Sequence, residues 1–113
     1  MNIQIIGVKS CSETRKAERF FKERNVPFHF RDLNEKNLAK GELDNIILAY
    51  SADDLIDREG KQYKKRNMQY MKFDITEELL NDSLLLKTPI VRNGRNVTIG
   101  YQPDTWSKWI KEN

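Results

Sequence analysis

The chain has 113 residues, a third of them charged and of both signs, with a net charge of +3. That length suffices for one core and is too short for two, and so small a charge permits an anionic partner without demanding one. A single cysteine excludes an internal disulfide, and with it a disulfide-stapled secreted domain. The opening Met1-Asn2-Ile3-Gln4 has no basic region and leads into no long apolar stretch. No signal peptide or membrane span is expected, and a cytoplasmic protein with a reduced thiol is the default.

Ile3 to Val8 is a short apolar run rich in β-branched residues and reads as a buried strand. Lys9-Ser10-Cys11-Ser12 turns the chain, with Ser12 placed to cap a helix. From Thr14 to Asn25, Ala17, Phe20 and Phe21 fall at helical spacing among charged residues. Val26-Pro27 ends that helix, and Phe28-His29-Phe30-Arg31 alternates as a second strand. Strand, helix and strand in this order predict a right-handed βαβ unit with parallel strands.

The middle is helical. Leu43, Ile46, Ile47 and Tyr50 follow a helical period from about Lys40. Ser51 to Asp54 has the spacing of a capping box, and a short helix with Leu55 and Ile56 should follow. Arg58 to Met71 is basic and weakly patterned, a loop or short helix. Asp74-Ile75-Thr76-Glu77 starts another helix carrying Leu79 and Leu80.

Thr88-Pro89-Ile90-Val91-Arg92 leads into Asn93-Gly94, then Arg95 to Ile99. Asn-Gly between two β-rich runs is a strong hairpin signal. Pro103 opens a last helix whose buried face is Trp106, Trp109 and Ile110. The order β-α-β, helical insertion at about 40–82, β-β-α predicts an α/β domain over residues 1–113. Its mixed sheet, flanked by helices, follows the plan of the thioredoxin fold.

This order puts Cys11 at a strand-to-helix corner. A thiolate there is favoured by the unpaired N–H groups of the helix start and by positive charge from Lys9 and Arg15. Thr14 lies one turn on, where its hydroxyl can donate to the sulfur. Because position 14 is not a second cysteine, any redox cycle needs an outside thiol. Pro89 is the other piece: a strand-opening X-Pro in this half of the fold is expected to be cis, presenting Thr88 backbone groups to a bound thiol. The competing reading is that Cys11 is a small buried hydrophobe.

His29, in mid-strand, reads as a partly buried structural residue rather than a catalytic partner. One Cys and one His cannot make the usual four metal ligands. The run Lys61 to Arg66 reads as a solvated face, and direct nucleic-acid binding is not expected from it. Trp106 and Trp109 read as core, and Asp53, Asp54 and Asp57 as helix-start and surface charges.

The stretch GVKSCSETRKAERFFKERNVPFHFRDL resembles the opening of the arsenate reductase family, which includes Spx and YffB proteins, and is most similar to the YffB-like branch. TPIVRNGRNVTIGY resembles the family's proline segment, hairpin and following turn. The resemblance implies a bacterial thioredoxin-like domain with a helical insertion, no bound cofactor, and a cysteine that passes oxidation to glutathione or a glutaredoxin- or thioredoxin-like protein. Catalytic members hold arsenate with arginines. The one before the proline is Thr88 here, the one near the last turn is missing at Ile99-Gly100-Tyr101, and Arg58 lies close to the place of the third. Arsenate, which needs bidentate positive partners, is therefore not the expected substrate. The resemblance leaves two functions to separate: a thiol-dependent oxidoreductase working through Cys11, and a non-catalytic Spx-like module that binds the RNA polymerase α C-terminal domain.

Overall fold

The computed structural model describes residues 1–112, which gather into two compact units. The first comprises residues 1–32 and 88–112, the second residues 33–87. The first holds β1 (Ile3–Gly7), α1 (Ser12–Glu23), β2 (Phe28–Asp32), and, after the second unit, β3 (Ile90–Asn93), β4 (Asn96–Ile99) and the terminal helix (Pro103–Glu112). The strands form one mixed sheet in the order β2-β1-β3-β4, with β1 parallel to β2 and the other pairs antiparallel. This is the thioredoxin-like plan.

Alternation along the strands decides the core. Ile3 and Ile5 on β1 and Val91 on β3 share one face, where they pack with Ala17, Phe20 and Phe21 of α1 and Trp106 and Trp109 of the terminal helix. Phe28 and Phe30 complete that layer from β2. Trp106 is fully buried and its indole N–H donates to the Thr98 hydroxyl at 2.9 Å, so its one polar atom is satisfied. After α1 the chain turns at Asn25, in the left-handed region at φ +57°, and the Val26 N–H returns to the Phe21 carbonyl.

The hairpin forms one residue later than expected. Asn93 pairs with Asn96 in the ladder, leaving Gly94 and Arg95 as the turn. Gly94 has φ +60°, and glycine reaches that conformation at no steric cost, so the turn centres on it rather than on Asn93.

The second unit contains α2 (Lys40–Ile47), α3 (Ala52–Leu55), α4 (Lys61–Lys65) and α5 (Ile75–Asn81), so the terminal helix of the first unit is α6. Short 3-10 turns cover Met68–Tyr70 and Ser83–Leu85. Ser51 caps α3 by accepting from the Asp54 N–H, and Asp74 caps α5 by accepting from Glu77. Buried Ser83 accepts from the Leu38 N–H and donates to the Leu79 carbonyl, each at 2.8 Å. The expected solvated basic run is partly structural: Tyr63 is buried, and Arg66 joins α4 to α5 through Glu78 at 2.7 Å and Asp82 at 3.1 Å. No helix among the described residues is long and apolar enough to cross a membrane.

Candidate functional site

Cys11 is the N-cap of α1. Its N–H donates to the Val8 carbonyl and its own carbonyl accepts from Arg15 N–H, both at 3.1 Å. That turn starts the helix one residue before the expected cap, so Ser12 is its first helical residue and lies exposed. The cap side chain is thus a sulfur instead of a hydroxyl.

The Cys11 Sγ is half-buried and donates to the Thr88 carbonyl oxygen at 3.7 Å. The Thr88–Pro89 bond is cis. Thr14 is fully buried, and its hydroxyl has no hydrogen-bond partner. A buried, unpartnered hydroxyl beside a thiol is a donor held for the thiolate. Burial pushes the Cys11 thiol up. Hydrogen bonds from the Thr14 hydroxyl, the Thr88 hydroxyl and the N–H groups of Thr14 and Glu13 outweigh it, and the thiol sits below its ordinary value. The cap side chain itself makes no cap hydrogen bond.

Gly7 makes room for this arrangement. A Cβ there would fall 2.5 Å from the Thr14 Oγ1 and 2.8 Å from its methyl carbon. Sequence reading passed over Gly7, although an isolated glycine closing a β-branched strand signals a close approach.

The structure brings Cys11, Thr14, Thr88 and Pro89 together. Lys9 is exposed, and its backbone carbonyl accepts from Arg15 Nη1 at 2.8 Å, so Arg15 pins the loop that carries the cysteine. Arg58 belongs to the second unit, where its guanidinium is held by Asp53 at 2.9 Å and the Tyr63 hydroxyl at 3.1 Å. His29 is exposed, not partly buried: β2 is an edge strand, and alternation turns His29 away from the face that carries Phe28 and Phe30. Among the described residues no group of His, Cys, Asp and Glu could hold a metal ion.

The model of the ArsC family matches residues 6–109. The chain belongs to the ArsC family. It is 29% identical over 109 residues to "Global transcriptional regulator Spx 2" from Oceanobacillus iheyensis, covering 92% of this chain and 80% of that protein. Among solved structures it is similar to a YffB protein, with a TM-score of 0.82 at 21% identity, covering 94% of this chain and 96% of that one. An arsenate reductase from Vibrio cholerae aligns with a TM-score of 0.79 at 15% identity, over 96% of this chain and 97% of that one. The fold is therefore that of the ArsC proteins.

Proposed function

We propose that Cys11 works as a redox thiolate that exchanges with a low-molecular-weight disulfide, oxidised glutathione being the natural candidate. The observation that carries this reading is the set of donors around a half-buried cap sulfur, with Thr14, Thr88 and two helix N–H groups favouring the anion. In the forward step the Cys11 thiolate attacks one sulfur of the disulfide. A mixed disulfide forms, the old S–S bond breaks, and one glutathione leaves as thiolate. The chain holds no second cysteine, so a dithiol protein of glutaredoxin or thioredoxin type attacks the glutathione sulfur of the mixed disulfide, frees Cys11 as thiolate, and then closes its own disulfide as the second glutathione leaves as thiolate. Such a cycle suits a reducing compartment such as the cytoplasm.

Incubation with oxidised glutathione should yield one glutathione adduct by intact mass, absent from Cys11→Ser. An unmodified wild-type thiol after prolonged incubation would sink the reading. Arsenate is not the substrate in this proposal. Arsenate-dependent glutathione oxidation should not exceed that of Cys11→Ser.

The relatives named as global transcriptional regulators favour a second reading, in which the chain is a regulator docking on the RNA polymerase α C-terminal domain. Titrating that domain into the isotope-labelled chain tests it. Localised, saturable NMR shifts would support it, and unchanged spectra would reject it.

A further inference from the structure

The face of the sheet opposite Ile3, Ile5 and Val91 carries a polar row that the Cys11 chemistry does not use. Gln4 pairs with His29 of β2 on one side and with Arg92 of β3 on the other. All three therefore stand on one face, in one cross-strand row. Asn2, two residues before Gln4, shares the face, and Gly94 closes the row at the hairpin. These five residues line a cavity of about 340 Å³. It lies toward the beginning of β1, whereas Cys11 follows that strand's end.

Arg92 is the unusual member. Its one hydrogen bond is a long one, 3.4 Å from Nη1 to the Gln4 Oε1. Its Nε is buried and without a partner. No carboxylate among the described residues pairs with it, and Asn2 to Gln4, His29 and Arg92 to Asn96 include no Asp or Glu. A guanidinium offers five donors in a fixed fork and is most at home against an oxyanion. The His29 ring and the side-chain amides of Asn2 and Gln4 add N–H donors around the same space. The lining includes no Phe, Tyr or Trp on which a base could stack and no apolar anchor of the kind a protein interface needs. The volume is at the small end for ligand sites.

We infer that this cavity is a binding site for a small molecule carrying a phosphate or carboxylate group, with Arg92 as its charged anchor and Gln4, His29 and Asn2 completing the donor set. Both group types present the oxygens that the fork matches. The site is separate from Cys11 and does not depend on the redox reading.

The test is an NMR titration of the isotope-labelled full chain with inorganic phosphate and, separately, with succinate, at ionic strength held constant with chloride. The Arg92 Nε–H signal and the side-chain amides of Asn2 and Gln4 are the reporters. Saturable shifts in these signals are expected with at least one probe, and the probe that binds tells phosphate from carboxylate recognition. Arg92→Leu should abolish saturation. Arg92→Lys, which keeps the charge and loses the fork, should weaken binding by roughly tenfold, the worth of one charge-assisted hydrogen bond, and serves if Arg92→Leu does not fold. Shifts that stay linear with both probes, saturation that survives in Arg92→Leu, or affinity undiminished in Arg92→Lys would overturn the proposal.

Discussion

The two ends of β1 make opposite use of polar groups. Past its C-terminal end, donors converge on a sulfur: the Thr14 hydroxyl, the Thr88 hydroxyl and two helix N–H groups surround Cys11. Near its N-terminal end, the donors of Arg92, Gln4, His29 and Asn2 line a space with no acidic residue. In the first case the chain supplies its own anion. In the second the charge is left for something else to meet. One short strand, buried on its apolar face, thus sets two polar groupings of different chemistry at its two ends, and they should respond separately to mutation.

The largest effect should come from Cys11→Ser, which removes the only thiol. Glutathione adduct formation should fall to zero by intact mass while phosphate-dependent shifts at Arg92 are unchanged. Loss of both would show the ends to be coupled. Next comes Gly7→Val, whose side chain would occupy the space of the Thr14 hydroxyl and methyl group. Overpacking of this kind costs about 1–3 kcal/mol, read as a lower midpoint in urea, together with slower alkylation of Cys11. Thr14→Val keeps the volume and deletes the donor. The thiol should rise, and alkylation near neutral pH should slow by roughly fivefold, as expected for the loss of a hydrogen bond of about 1 kcal/mol. An unchanged rate would remove Thr14 from the site.

A smaller effect is the pH dependence of stability. A thiol held below its unfolded value stabilises the fold above that unfolded value, about 8.5, and the contribution is lost as pH falls through the lower folded value. Wild type should therefore gain on Cys11→Ser as pH rises across that window, in parallel urea titrations. The smallest effect expected is that of Arg92→Leu on Cys11, whose alkylation rate should match wild type.

How much of this was legible in the sequence differs between the two ends. The Cys11 corner could be read because its signals are local: a β-branched run, a turn, an amphipathic helix, and Thr14 one turn along. The cap was misplaced by one residue because Ser12 is the better capping residue by type, while the Val8–Cys11 turn decides where the helix starts. The hairpin centre moved likewise, since Gly94 and not Asn93 takes the positive φ. Lys9 and Arg15, expected to lend charge, are found exposed and bonded to the Lys9 carbonyl respectively, while the hydrogen bonds of Thr14, Thr88 and the helix start lower the thiol. The Arg92 row stayed hidden because its members lie 2, 4, 29 and 92 residues into the chain and meet only through strand register. The available signal was a Gln and an Arg alternating with apolar residues inside two strands. The same register explains why His29 is exposed.

The most direct test of the account is the rate of Cys11 alkylation by iodoacetamide as a function of pH. The midpoint should lie below that of a free thiol, about 8.5, and should rise in Thr14→Val. A midpoint at or above the free-thiol value, unmoved by Thr14→Val, would mean that the surrounding donors do not serve the sulfur, and the redox reading of Cys11 would be wrong.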